Sequence, residues 1–177
     1  MYLISVYFDE KTNRRLQCYI TMVAEKTGNH FMLDEKVPPH MTISAFETQC
    51  EEAVIQVVER IAKRLEKGRV TWASVGQFFP YVLFVQPVLN VYLHQMSEII
   101  WEELKDLSDV KISPVYQPFQ WLPHATLGKT LSKEEMKIAF EVMQNHFGVF
   151  DGTVVRVGLA KTNPHRDIVT FTLHEED

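Results

Sequence analysis

Along this chain the spacing of apolar positions changes repeatedly, and each change marks an element. Tyr2 to Phe8 alternates with the period of a strand, and beyond Asp9 the apolar positions fall at Leu16, Tyr19, Ile20 and Val23, one face of a capped helix. A loop closes in Pro38-Pro39, and His40 to Phe46 reads as the second strand. The stripe Val54, Val57, Val58, Ile61 and Leu65 predicts a helix after Thr48, stopped by Gly68. Val70 to Val75 and Tyr81 to Val85 predict two strands around a turn near Pro80. Leu93, Met96, Ile100 and Leu104 then predict a helix, followed by a loop with Pro114, Pro118 and Pro123 and a strand from His124 to Leu127. Met136, Ala139, Phe140, Met143 and Phe147 mark the next helix. Thr153 to Ala160 and Ile168 to Leu173 predict a closing hairpin over Asn163-Pro164-His165-Arg166.

The second half of this pattern repeats the first. Pro39-His40-Met41-Thr42 and Pro123-His124-Ala125-Thr126 lie 84 positions apart, each running into an apolar residue, Ile43 and Leu127. Thr48-Gln49-Cys50-Glu51 and Ser132-Lys133-Glu134-Glu135 share that offset, and both read as capping boxes, in which hydroxyl and carboxylate satisfy the first free amides of a helix. The helical stripes that follow are offset by 82 positions instead, which turns one helix relative to the other. The expected fold is α+β: a duplicated, bilobal structure in which two small, mainly antiparallel sheets line a central cleft and the helices pack outside. It forms a single domain over 1–177, with one lobe at about 1–80 and the other at about 81–177, strand exchange near the junction being allowed.

Composition narrows the partners. At 177 residues, with 46% hydrophobic and 23% charged, the chain can bury a sizeable core without metal or disulfide staples. A formal charge of -5 argues against the broad basic footprint that holds long nucleic acids, so a phosphate ligand is expected to be small, or one end of an oligonucleotide. Cys18 and Cys50 are too few for a disulfide scaffold, no run of about 20 apolar residues offers a membrane span, and the opening strand lacks a basic leader. A cytoplasmic monomer that binds no membrane is expected.

Strand geometry turns the repeated motif into chemistry. Side chains two apart share a face, so His40 and Thr42 point one way, as do His124 and Thr126, while Met41, Ile43, Ala125 and Leu127 take the core side. If each lobe turns its polar face to one cleft, hydroxyls can hold non-bridging phosphate oxygens between two imidazoles. One imidazole, neutral, takes a proton from the nucleophile; the other, protonated, gives one to the leaving oxygen, with a bell-shaped pH dependence.

These motifs resemble those of the two-histidine phosphoesterase superfamily, whose bacterial members are usually labelled 2'-5' RNA ligase-like or RNA 2',3'-cyclic phosphodiesterases. Trp121-Leu122-Pro123-His124-Ala125-Thr126-Leu127 is similar to that family's second motif, and the likeness spans the chain. The resemblance implies that His40 and His124 are catalytic, that Thr42 and Thr126 bind phosphate, and that the chemistry is metal-independent and acts on 2',3'-cyclic phosphates or 2'-5' linkages. Where many relatives carry an arginine shortly after the second motif, this chain has Gly128-Lys129.

Other candidates carry less. Tyr116 and Trp121 are candidate stacking surfaces for a base, whereas Phe78, Phe79 and Tyr81 read as packing at the lobe junction. His30, His94, His146, His165 and His174 read as solvated. No Cys or carboxylate stands at ligand spacing from either motif, so neither metal nor cofactor is expected. The leading expectation is a phosphodiester hydrolase for nucleotides or RNA ends. Its alternatives are a non-catalytic nucleotide or RNA-end sensor using the same cleft, and a ligase running the reaction backwards.

Overall fold

The structure is a computed structural model that describes residues 1–162 and 164–175. In chain order the elements are β1 (Tyr2–Phe8), α1 (Glu10–Thr27), α2 (Phe31–Asp34), β2 (Met41–Glu47), α3 (Glu51–Arg64), β3 (Gly68–Phe78), β4 (Val82–Pro87), α4 (Val91–Lys105), β5 (Lys111–Ile112), a 3-10 turn at Pro114–Tyr116, β6 (Ala125–Gly128), α5 (Lys133–His146), β7 (Phe150–Lys161) and β8 (Arg166–Thr172). The expected turn over Asn163-Pro164-His165-Arg166 lies in part outside the described residues, since Asn163 is not among them.

Local chemistry accounts for most of these boundaries. The Asp9 carboxylate caps α1, accepting from the Thr12 amide at 2.9 Å and the Thr12 hydroxyl at 2.7 Å, and it reaches across to the Thr153 amide at 2.7 Å. Gly28, at φ 76°, closes the helix in the left-handed conformation that a side chain would strain. Between this cap and β2, where a plain loop was expected, lies the short α2.

Of the two expected capping boxes one forms. At α5 the Ser132 hydroxyl accepts from the Glu135 amide at 3.3 Å, and the Glu135 carboxylate accepts from the Ser132 amide at 2.6 Å. Thr48 does not cap α3. Its hydroxyl donates to Asp109 and accepts from the Cys50 amide, while Glu51 is drawn away to the Tyr2 hydroxyl, so α3 begins behind Cys50 without a side-chain cap. The two helices therefore start 82 positions apart, as their stripes do. Gly68 does not stop α3 either. The helix ends at Arg64, and Gly68 opens β3 where a Cβ would meet the Tyr92 ring at 2.2 Å.

The strands form one antiparallel sheet of eight among the described residues, in the order β5-β2-β1-β7-β3-β4-β6 with β8 also on β7. The two expected sheets are leaves of this one, joined along β7. Twelve residues long, β7 pairs through Phe150 to Val154 with β3 and through Val154 to Lys161 with β1, while its far half also carries β8. Each leaf draws on both halves of the chain. The α1 helix packs on α5 and β6, whereas α4 covers β2 beside α3. Leu16, Ile20 and Val23 of α1, Val54, Val57, Val58 and Ile61 of α3, and Leu93, Met96, Ile100 and Leu104 of α4 are all buried. Their apolar faces meet the sheet side carrying Ile4, Val6, Met41, Ile43, Ala125 and Leu127, which leaves the opposite side of both leaves for polar residues.

Candidate active site

Both histidines sit one residue before their strands, and both are held in the same way. The His40 Nδ1 lies 2.8 Å from the Pro38 carbonyl, and the His124 Nδ1 lies 2.8 Å from the Leu122 carbonyl. A carbonyl only accepts, so each Nδ1 carries the hydrogen and each Nε2 is left as the nitrogen free to exchange a proton. The prolines at 39 and 123, both buried, hold the residues before them extended, which aims those carbonyls back at the rings. His40 and His124 both line one cavity of about 880 Å3, a size suited to a nucleotide.

The two hydroxyls are placed unequally. Thr126, opposite Phe84 on β4, is half-buried and lines the cavity. Thr42 is 7% exposed, and its hydroxyl bonds that of Ser5, its partner on β1, over 3.2 Å. The loop before the second motif covers it, because the Trp121 indole N–H donates to the Thr42 carbonyl at 2.9 Å. Trp121 is thereby a buried anchor as well as part of the cavity wall, and Tyr116 lines the same wall half-buried. Lys129 also reaches the cavity, with its ammonium 5.6 Å from the centre of the Phe31 ring.

The surroundings of the two imidazoles differ more than the motifs do. Phe78 meets the His124 ring edge-on at 4.7 Å, and Phe84 lies 5.3 Å from it. Burial among these rings holds His124 below the ordinary histidine range, against the opposing bond to Leu122. His40 has polar company: Tyr7 at 6.4 Å and the ring of His165 at 6.2 Å, inclined by 27°. Burial is again the main reason that His40 is held low. Charge on His165 or His124 pushes the same way, while the Pro38 bond and Asp167 oppose it. The Tyr7 hydroxyl donates to Asp167 at 3.2 Å and is pushed far above its usual range, first by burial and then by that carboxylate.

His165 was expected to be solvated, and here the structure corrects the sequence. Its side chain is 16% exposed, its Nε2 lies 3.1 Å from Asp167 Oδ1, and it lines the cavity with His40. A histidine in a hairpin turn bears no sequence mark that separates this position from a solvated one. Tyr7 and Asp167 were equally unmarked. The expected packing of Phe78, Phe79 and Tyr81 is corrected in part: Phe79 and Tyr81 are exposed, and only Phe78 meets other rings, Phe84 at 4.4 Å and His124 at 4.7 Å. His30, His94, His146 and His174 do not line the cavity. Among the described residues no three His, Cys, Asp or Glu side chains are grouped to hold a metal ion, and no helix is long and apolar enough to cross a membrane.

Comparison with known proteins follows the same lines. A family model described as the 2'-5' RNA ligase superfamily matches residues 14–166. The fold is similar to that of TT0787 of Thermus thermophilus, with a TM-score of 0.61 and 16% identity over 99% of each chain. It is also similar to E. coli LigT in its apo form, with a TM-score of 0.56 and 13% identity over 98% of this chain and 97% of that one. Against E. coli LigT complexed with 3'-AMP the TM-score is 0.57, at 12% identity over 97% of each chain. At these identities the likeness is one of fold. No curated protein matches the sequence.

Proposed function

Because the chain belongs to the 2'-5' RNA ligase superfamily, we propose that it is a metal-independent phosphodiesterase acting on 2',3'-cyclic phosphates or 2'-5' linked nucleotides and RNA ends. The observation that carries this reading is the matched pair of imidazoles. Each is fixed through Nδ1 to the carbonyl two residues before it, and both line one cavity. E. coli LigT has been crystallised with 3'-AMP and with phosphate, and we extend that ligand chemistry, a phosphate on a nucleoside, to this cavity.

In the proposed reaction a water oxygen attacks phosphorus while one neutral imidazole takes its proton at Nε2. The bond from phosphorus to the 2' or 3' oxygen breaks, and that oxygen receives a proton from Nε2–H of the other ring, which starts as imidazolium. The carbonyl bonds at Nδ1 suit both states, because Nδ1 is a donor in each. In this reading Thr126 donates to a non-bridging oxygen and Tyr116 and Trp121 give π faces to a base, roles supported by the fact that all three line the cavity. Placing the substrate between fixed rings lowers the barrier mainly through orientation.

The expected substrate is therefore small, a nucleotide or the end of an RNA strand, taken up by a cytoplasmic monomer with no surface for long duplexes. The test is a panel of 2',3'-cyclic nucleotides, cyclic-ended oligonucleotides and 2'-5' dinucleotides, assayed in chelator for monoester or cleaved product. Turnover that survives chelator and is lost in His40→Ala and in His124→Ala supports the reading. Tight binding of the panel without turnover would establish the sensor instead, and activity abolished by chelator would establish a metal enzyme.

A further inference from the structure

The catalytic pair is not the whole of the polar chemistry facing the cavity. His165 enters from the segment between β7 and β8, 125 positions from His40, and stacks near its ring at 6.2 Å. Its Nε2 is bound to Asp167, whose same oxygen accepts from the Tyr7 hydroxyl, and Tyr7 in turn lies beneath the Arg156 guanidinium at 5.5 Å. Asp167 is not among the residues that line the cavity, whereas His165 is. With Nε2 bound to the carboxylate, Nδ1 is the ring nitrogen left available to a ligand in the cavity.

Phosphodiester hydrolysis needs such a group. The substrate enters with one negative charge and leaves as a monoester carrying nearly two, whereas the catalytic histidines share one proton between them. Lys129, the residue that stands in the region of the expected arginine, has its ammonium drawn toward Phe31. Resting on the reading of the cavity as a phosphodiesterase site, we propose that His165, oriented by Asp167, is a third histidine of the site and donates from Nδ1 to the substrate's phosphate as a binding residue. It is placed to hold the anion beside His40 while taking no proton from the nucleophile.

Two measurements test this, one of which does not depend on turnover. With 2',3'-cyclic AMP as substrate, His165→Asn raises KM about tenfold, the loss of one charge-assisted hydrogen bond, and changes kcat by less than about threefold. His165→Lys restores most of the KM, because a donor for the phosphate is returned. Asp167→Asn raises KM by a smaller factor through a less well-oriented ring. Independently, inorganic phosphate added to the wild-type protein shifts the imidazole resonances of His165, and His165→Asn weakens phosphate binding in the same proportion as it raises KM. A His165→Asn protein that keeps its melting temperature and binds phosphate within twofold of wild type overturns the proposal, as does a fall in kcat with KM unchanged. If the wild-type chain turns over no member of the panel while phosphate still shifts His165, the phosphodiesterase reading fails and the anion-binding role of His165 stands.

Discussion

The Trp121 indole N–H donates to the Thr42 carbonyl over 2.9 Å, so a residue three places before His124 is tied to a residue two places after His40. Through this bond the loop that delivers one motif is pinned to the strand that carries the other. Trp121→Phe keeps most of the ring and removes the donor, leaving a buried carbonyl unsatisfied at a cost of about 1–3 kcal/mol. Thermal unfolding is expected to fall by about 3–10 °C, with a loss of kcat/KM larger than that of a distant mutation of equal stability cost. A melting temperature within about 1 °C of wild type would remove the bond from the account of the site.

His40→Ala and His124→Ala are each expected to lower kcat about 10²–10⁴-fold, the usual range for removing a general acid or base. The double variant is expected to be little worse than either, because the two rings act as one unit. Steady-state kinetics on the best member of the panel decide this, with circular dichroism confirming the fold.

The pH dependence follows from burial. Both imidazoles titrate below the ordinary histidine value of about 6.5, His40 and His124 alike mainly by desolvation. Both limbs of the kcat/KM profile belong to the free enzyme, so its maximum is expected below pH 6.5. Between the folded values and 6.5 the unfolded chain binds more protons than the folded one. The stability contributed by the neutral rings is thus present above pH 6.5 and is lost as pH falls through the folded values. A kcat/KM maximum above pH 7 would contradict the assignment.

The threonines are expected to separate. Thr126→Val removes a hydroxyl that lines the cavity, and it should raise KM or lower kcat about tenfold with little change in stability. Thr42→Val leaves Ser5 without its partner in a buried setting, so it should cost about 1 kcal/mol of stability and less activity. Denaturant titration and kinetics on the two variants, side by side, show whether the motifs are equivalent; equal effects would mean that Thr42 also meets the substrate.

Asp9 links α1 to β7, and its charge matters to that link. Burial works to raise its pKa, but the bonds from Thr12 and Thr153 outweigh it and hold the carboxyl below its usual value. Its contribution is accordingly present above the unfolded carboxylate value of about 3.9 and disappears as pH falls through the lower folded value. Asp9→Ala should cost about 1–2 kcal/mol at pH 7 and progressively less as the pH is taken down through the folded value of Asp9, measured by urea unfolding.

Much of this molecule is written in local spacing. A stripe such as Val54, Val57, Val58 and Ile61 can bury itself only as a helix face, and alternation such as that of Tyr2 to Phe8 only as a strand, so those elements follow from period alone. The two His-x-Thr segments were visible for the same reason, since side chains two apart on a strand must share a face. Thr48 misled because a capping box needs its carboxylate free, and Glu51 is taken by Tyr2 from another element.

The sequence by itself determined the elements, the repeated motifs and the side of each strand that faces away from the helices. Only the tertiary structure decided that α1 lies under β6 and α4 under β2, that β7 joins the two leaves, that Thr42 is covered while Thr126 is open, and that His165 stands beside His40. The physical reason is that periodicity records whether a side chain is buried but not what buries it. The partners that tune the two imidazoles arrive from strands and loops far along the chain, and no local pattern encodes their meeting.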